Sequence, residues 1–295
     1  MSVMCANRPV EWICGSRTLR IGASPLVMGI LNVTPDSFSD GGRYVDKADA
    51  VEQALRMVAD GADIVDIGGE STRPGAAAVG VDEELKRVLP VLKAVRHESD
   101  VCISIDTSKA AVALAALDAG ADIVNDVTAL GGDPDMPDVV RRKGAGAVLM
   151  HMRGTPRTMQ VDPHYDDVVE EVGGFLASRA EALIKEGLER ERLAIDPGIG
   201  FGKTVDHNLR LLAHLQSIGA CGLPVVVGLS RKRFLGKLTG RQVEERLAGS
   251  LAAMVYCAMR GVQVLRVHDV KESVDAIRAV AALMAAEKGE SAGVE

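Results

Sequence analysis

Polar side chains follow several short apolar runs of this sequence, and their types are suited to binding a small molecule. Two carboxylates and an amide, Asp106, Asn125 and Asp196, come at the ends of three such runs. Because carboxylate and amide oxygens accept paired N–H donors, this set suits a flat heterocycle with an amino-amidine edge. Such partners also matter for the carboxylates, since an unpaired one is costly to bury.

A second set of side chains carries positive charge or hydrogen-bond donors in an otherwise acidic chain. Arg73, Lys232, Arg266 and His268 follow three of the apolar runs. Together they favour an anionic ligand with phosphate-like chemistry. Single residues have other interpretations, because a strand-end Asp such as Asp106 is about as often a cap for the following helix.

The apolar runs themselves have the continuous, β-branched character of parallel strands buried on both faces. They lie at 26–31, 64–67, 101–105, 122–125, 147–150, 193–195, 224–228 and 263–267. Helical patterns alternate with them at 47–60, 82–97, 109–119, 136–143, 166–186, 206–216, 241–260 and 271–288. Eight strand–helix units predict an α/β fold, a closed (β/α)₈ TIM barrel, with an open doubly wound sheet as the alternative.

Every candidate residue lies at the carboxyl end of a predicted strand, where barrel enzymes build their sites. No linker or change of composition divides the chain, so we expect one domain. Within it, residues 1–22 are predicted to form a short hairpin over the bottom of the barrel, with Gly15 and Ser16 at its turn. Residues 23–288 would form the barrel and residues 289–295 a frayed tail.

Composition excludes several classes of function. The 295 residues are 47% hydrophobic and 25% charged, the mix of a soluble globular protein. A net charge of −7 and only 3% aromatic residues argue against nucleic acid and anionic membranes as partners. The five cysteines are scattered and predict reduced thiols. With no signal-like start and no apolar stretch of about 20 residues, we expect a cytoplasmic protein.

Eight segments resemble the dihydropteroate synthase family of pterin-binding enzymes. They are NVTPDSFSDGG at 32–42, GGESTRPG at 68–75, SIDTSK at 104–109, NDV at 125–127, HMRGTP at 151–156, DPGIGFGKT at 196–204, SRKRFLG at 230–236 and RVHDV at 266–270. The resemblance runs in order over about residues 24–280. Two positions depart from it, since many relatives carry a small hydroxyl residue in place of Arg233 and proline is common in place of Ala110.

The resemblance implies a transferase of folate biosynthesis. The amine of p-aminobenzoate would displace pyrophosphate from 6-hydroxymethyl-7,8-dihydropterin pyrophosphate, giving 7,8-dihydropteroate. It further implies Mg²⁺ as cofactor, a homodimer, and inhibition by sulfonamides, which mimic p-aminobenzoate. We expect no covalent enzyme intermediate and a dissociative substitution, because an electron-rich dihydropterin can share positive charge at its methylene carbon.

The resemblance also assigns roles to residues. The pterin would be bound by Asp106, Asn125, Met150, Asp196, Gly228 and Lys232. Pyrophosphate would be held by Asn32, Arg266 and His268, with Asn32 and Asp36 as metal ligands. The p-aminobenzoate pocket would comprise Phe38, Thr72, Arg73, Pro74, Phe201, Lys232 and Arg233. The catalytic set would be Asn32, Arg73, Lys232, Arg266 and His268. The loops at 33–44 and 70–80 are predicted to be mobile when empty and to close over bound pyrophosphate.

Three other functions fit parts of the pattern. A pterin-binding methyltransferase domain would need no pyrophosphate site, which the Asn32 segment and the Arg266–His268 segment argue against. A non-catalytic pterin-binding relative predicts eroded loop motifs, and none is seen. An unrelated phosphosugar barrel enzyme would usually place a glycine-rich phosphate site after its last two strands, where this chain has Ser230, Lys232, Arg266 and His268.

Overall fold

The computed structural model describes residues 10–22, 24–34, 47–71, 78–287 and 289. Eight parallel strands form one sheet. They are β3 Leu26–Asn32, β4 Ile64–Gly68, β5 Cys102–Asp106, β6 Ile123–Asp126, β7 Gly146–Met150, β8 Leu193–Asp196, β9 Val226–Gly228 and β10 Val264–Val267. In the sheet they follow the order β8-β7-β6-β5-β4-β3-β10-β9. A parallel bridge from Ile195 to Val225 joins the outer strands. The predicted closed barrel is therefore confirmed, and the open doubly wound alternative is wrong.

Helices follow the strands around the outside of the barrel. They are α1 Lys47–Ala59, α2 Val81–Glu98, α3 Ala110–Asp118, α4 Met136–Lys143, α5 Val168–Lys185, α6 Val205–Ala213, α7 Leu215–Ile218, α8 Arg233–Thr239, α9 Leu247–Met259 and α10 Val270–Glu287. Between strands and helices lies the main hydrophobic core. Within the described ranges, no helix is both long and apolar enough to cross a membrane.

Two of the predicted helices differ from the observed ones. The pattern at 206–216 divides into α6 and α7 at His214, whose φ of −117° and ψ of 30° are not helical. The pattern predicted to start at 241 instead begins as a 3₁₀ turn at Val243–Glu245, before α9. Gly240, with φ of +72°, ends α8 just ahead of it. Local backbone breaks thus shorten elements that hydrophobic periodicity alone makes continuous.

The near-identical segments at 60–63 and 118–122 have the same structural role. Gly61 and Gly120 have φ values of +97° and +104°, a conformation that favours glycine at a helix end. The aspartate that follows each glycine binds the amide of the preceding strand, Asp63 that of Val27 at 2.8 Å and Asp122 that of Ile103 at 2.9 Å. These repeated turns therefore fix the amino-terminal ends of the strands.

An N-terminal hairpin closes the bottom of the barrel. Its strands are β1 Val10–Cys14 and β2 Arg17–Ile21, joined by the predicted turn at Gly15 and Ser16. Trp12 is fully buried and its Nε1 donates to Arg192 O at 3.0 Å. The tail predicted at 289–295 lies outside the described residues, apart from Gly289.

Inside the barrel, the strands change from apolar to polar along their length. Trp12 belongs to one cluster of buried side chains with residues near the strand starts, including Ile64, Cys102, Ile123, Val148, Ala194, Val226 and Val264. Because alternate residues of a strand face the same side, the next interior positions are two residues further on. They are Asp66, Ser104, Asn125, Met150, Asp196, Gly228 and Arg266. The barrel thus places its polar groups directly above an apolar floor.

Candidate functional site

One pocket opens at the carboxyl ends of the strands. Its lining comes from β5 to β10 and the loops after them: Asp106, Asn125, Val127, Met150, Asp196, Gly198, Ile199, Phe201, Gly228, Lys232 and Arg266. Strand register explains the convergence, since Asp106 pairs with Asn125, Met150 with Asp196, and Gly228 with Arg266. Residues up to 160 positions apart in the chain therefore meet through their places on the sheet.

An arginine lies between two carboxylates at the base of the pocket. Arg266 Nε donates to Asp66 Oδ2 at 2.6 Å, and Arg266 Nη2 donates to Asp106 Oδ2 at 2.7 Å. Asp66 is fully buried and also accepts from Asn125 Nδ2 at 3.1 Å. Burial raises the pKa of Asp106, and the guanidinium opposes that rise. This network supplies the charge pairing that buried carboxylates require.

The opposite wall carries a second acceptor. Asp196 is nearly buried, and its Oδ1 accepts from Gly198 N at 2.7 Å. Burial raises the pKa of this carboxyl, while the Gly198 amide and the positive charge of Lys232 oppose the rise. Asp106, Asn125 and Asp196 thus place oxygen acceptors around one pocket, as a heterocycle with several N–H donors would need.

Lys232 enters the pocket from the start of α8. Its Nζ lies 4.2 Å from the centroid of the Phe201 ring, a cation–π contact. Burial lowers the pKa of Lys232 to about 8, although Asp196 attracts the charged form. The preceding residue, Arg231, has φ of +59° and is held by an ion pair with Asp269. The residue before Lys232 thus has a backbone conformation that is uncommon for a residue other than glycine.

His268 and Asn32 lie at the strand ends around the rim. The Nδ1 of His268 is 3.1 Å from Ser230 Oγ, which also accepts from the His268 amide at 3.3 Å. Burial and the neighbouring Arg266 lower the pKa of His268 to about 3, so the imidazole is neutral at pH 7. Asn32 is the last residue of β3, and Gly68 pairs with it in register. Neither His268 nor Asn32 is among the residues that line the pocket.

The loop after β8 packs tightly against the end of β7. A Cβ built on Gly198, whose φ is +66°, would lie 1.9 Å from His151 O, so no larger residue fits there. Lys203, at the end of this loop, is 3% exposed. Its Nζ lies 3.0 Å from His151 Nδ1 and 3.0 Å from Phe201 O. These contacts hold the loop after β8 against the end of β7.

The structure brings most of the predicted site residues together. Asp106, Asn125, Met150, Asp196, Phe201, Gly228, Lys232 and Arg266 line the same pocket. Arg233 is exposed in the first turn of α8. Asp36, Phe38, Thr72, Arg73 and Pro74, and with them the closing motion predicted for the two loops, lie outside the described residues.

Sequence reasoning missed Asp66 and Lys203. Asp66 had a visible signal, because it is a charge in the middle of an apolar strand run. Such a residue is rarely buried without a partner, and here the partner is Arg266. Lys203 had no comparable signal, since a lysine in a glycine-rich loop is usually exposed. Its burial follows from the fold of the loop alone.

The donor set of the described residues fits a magnesium ion held largely by its substrate. In the described ranges, no three His, Cys, Asp or Glu side chains gather into a metal cage. Mg²⁺ commonly takes only one or two protein oxygens and completes its shell with phosphate and water. The carboxamide of Asn32, at the rim of the pocket, can supply one such oxygen.

Comparison with known proteins gives a consistent result. The family model described as "Pterin binding enzyme" matches residues 28–268. The dihydropteroate synthase of Escherichia coli K12 is 48% identical over 264 residues, which are 90% of this chain and 93% of that protein.

Two solved structures share the fold as well as the sequence. The Xanthomonas albilineans dihydropteroate synthase with 4-aminobenzoic acid has a TM-score of 0.88 at 49% identity, over 94% of this chain and 99% of that one. The Yersinia pestis enzyme in complex with a sulfonamide drug has a TM-score of 0.89 at 44% identity, over 94% and 100% of the two chains.

Proposed function

Because the chain belongs to the pterin-binding enzyme family, among the dihydropteroate synthases, we propose that its pocket joins a dihydropterin to p-aminobenzoate. In this reaction the methylene C–O bond of 6-hydroxymethyl-7,8-dihydropterin pyrophosphate breaks and a C–N bond forms. Pyrophosphate leaves with the bonding electrons, and the amine then loses a proton to water. The enzyme is accordingly a transferase of a group other than methyl.

The observation that carries the proposal is the convergence of acceptors and cations on one pocket. Asp106, Asn125 and Asp196 present oxygens to the N–H edge of the pterin. Met150 and Gly228 line the space for the ring, and Lys232 lies beside it. A methyltransferase partner domain or a binding-only relative would share this pterin pocket. The two cations that line the pocket, Arg266 and Lys232, favour a substrate that also carries pyrophosphate.

Pyrophosphate binding is proposed for Asn32, Arg266 and His268. The leaving group gains negative charge as the C–O bond breaks, and a guanidinium held by Asp66 and Asp106 is already oriented to stabilise it. The imidazole of His268, which is neutral, can donate one hydrogen bond to the pyrophosphate. Bound Mg²⁺, with Asn32 and Asp36 as protein ligands, would add charge neutralisation to the departing oxygens.

The p-aminobenzoate site is proposed beside Phe201 and Lys232, together with Phe38, Thr72, Arg73, Pro74 and Arg233. The bound 4-aminobenzoic acid of the Xanthomonas albilineans structure supports this ligand class. The sulfonamide complex of the Yersinia pestis enzyme supports inhibition by sulfonamides. An arylamine is neutral at pH 7, so the site needs to position it rather than deprotonate it before attack.

The assigned reaction is tested by pyrophosphate release with both substrates present. Wild-type protein is expected to release pyrophosphate only when p-aminobenzoate is added, and Lys232→Ala and Arg266→Ala to lose that release. Release that is insensitive to p-aminobenzoate contradicts the reaction. A large secondary isotope effect at the methylene carbon is expected for departure before attack, and a small, associative value would exclude that order.

We further propose that the protein acts in the cytoplasm as a homodimer. The exposed apolar side chains of Leu238, Tyr256 and Met259, on α8 and α9, support an interface there. Light scattering at micromolar concentration should give twice the chain mass. A monomeric mass would contradict the dimer without affecting the reaction.

A further inference from the structure

A buried lysine close to the pocket has no carboxylate among its hydrogen-bond partners in the described chain. Lys203 Nζ contacts His151 Nδ1 at 3.0 Å, Phe201 O at 3.0 Å and His151 O at 3.4 Å. Burial lowers the pKa of Lys203 to about 7, although Asp196 attracts the charged form. Burial and Lys203 itself lower the pKa of His151 to about 3, so its Nδ1 is free to accept. An amine is retained here despite the cost of burying it.

The three contacts join two strand exits that belong to different walls of the pocket. His151 directly follows β7 and its ring packs against Phe175 at 5.0 Å between centroids. Phe201 belongs to the loop after β8. Tyr165 adds a further link, because its hydroxyl donates to Gly202 O at 2.9 Å. The loop is therefore held at consecutive residues, and the Lys203 ammonium is the group that reaches both sides.

The hydrogen bond to the Phe201 carbonyl also restrains the backbone that carries the Phe201 ring. The ring lies under the Lys232 ammonium at 4.2 Å. Phe201 and Lys232 both line the pocket, whereas Lys203 does not. Lys203 therefore acts on the pocket in two ways, by its hydrogen bond to Phe201 O and by its charge on Asp196.

We propose that Lys203 is a positioning residue for p-aminobenzoate. By tying Phe201 O to the end of β7, it sets the Phe201 ring at the face where the aromatic amine binds. The inference rests on the proposed function and deepens it, because it assigns specificity for the second substrate to a residue that does not touch it. The pterin acceptors Asp106 and Asn125, on β5 and β6, are outside this chain of contacts, and the third acceptor, Asp196, is reached only by the charge of Lys203.

The first experiment separates the two substrates. Lys203→Met keeps most of the length of the side chain and removes its hydrogen-bond donors. The KM for p-aminobenzoate and the Ki of a sulfonamide are expected to rise about tenfold, since small displacements of positioning groups are costly. The KM for the dihydropterin pyrophosphate should rise by less than about threefold, since Lys203 affects the pterin acceptors only through its charge on Asp196. Lys237→Met, an exposed lysine of α8, is the matched control and should change neither.

The second experiment asks whether the effect passes through Phe201. In the Phe201→Leu background, Lys203→Met should add less than about twofold to the KM for p-aminobenzoate. Fully additive losses, equal changes in both KM values, or no change would each overturn the proposal. If Lys203→Met does not fold, Lys203→Gln replaces it, since its amide can still donate to Phe201 O and should give a smaller, equally selective rise.

Failure of this inference differs from failure of the proposed function. In the first case wild-type protein still releases pyrophosphate in response to p-aminobenzoate, and only the selective effect of Lys203→Met is missing. In the second case the wild-type response itself is absent.

Discussion

The floor and the mouth of the barrel are built from the same strands and have opposite chemistry. Ile64 and Asp66 face the same interior from one strand, and so do Val264 and Arg266. At the floor the side chains cluster with Trp12, while at the mouth they pair as ions. The step from one to the other is two residues. We therefore expect residues at the floor to contribute mainly to folding stability and residues at the mouth mainly to ligand binding. Substitutions in each region can test how far stability and binding are separable.

The largest effect is expected where the two regions meet, at Arg266. Arg266→Ala leaves Asp66 and Asp106 buried without their cation, which typically costs about 3–5 kcal/mol of unfolding free energy. It should also abolish p-aminobenzoate-dependent pyrophosphate release. Urea unfolding and the release assay measure the two effects. A variant that loses activity with unchanged stability would show that Asp66 does not depend on Arg266.

At the floor, Trp12→Ala should affect stability alone. Removing the buried indole leaves a cavity under the barrel and an unpaired Arg192 carbonyl, for a loss of about 3–5 kcal/mol. At a temperature where the variant is folded, kcat and both KM values should match wild type. Thermal unfolding followed by circular dichroism gives the first quantity and steady-state kinetics the second. A changed KM would mean that the floor reaches the site.

At the mouth, Lys232→Ala should lower activity and leave the stability of the fold nearly unchanged. Loss of a preorganised cation is expected to lower kcat/KM by about 100- to 1,000-fold. The melting temperature should change little, because Lys232 lies over Phe201 rather than within the apolar floor. Parallel loss of stability and activity would argue that this residue is part of the core.

The smallest effect is a dependence on pH. Burial places the pKa of Lys232 near 8, so the ammonium is present below that pH and is lost above it. The kcat/KM should accordingly fall by about tenfold per pH unit above 8, the slope of a single deprotonation. Lys203→Met should keep this decline, and Lys232→Met should lose it. A decline that survives in Lys232→Met would belong to another group.

Much of the barrel could be predicted from the sequence, because apolar runs and helical patterns alternate without interruption. The eight strands, the hairpin turn at Gly15 and the pocket residues Asp106, Asn125 and Asp196 all follow from strand ends meeting at one rim. What could not be predicted depends on contacts across the sheet. The ion pairs of Arg266 join residues from three strands, and the burial of Lys203 depends on how one loop folds. Periodicity carries no information on either.

The strands of the barrel are not all paired with their neighbours to the same extent. Seven of the neighbouring strand pairs have at least three paired residues each. In contrast, β8 and β9 are joined by a single bridge from Ile195 to Val225, and β9 has only three residues. The barrel should open locally first where its strands are least paired. Backbone amides between β8 and β9 should therefore exchange with deuterium sooner than those of β4 or β5. Asp196 and Gly228 end these two strands and line the pocket, so local opening between the strands would widen the pocket.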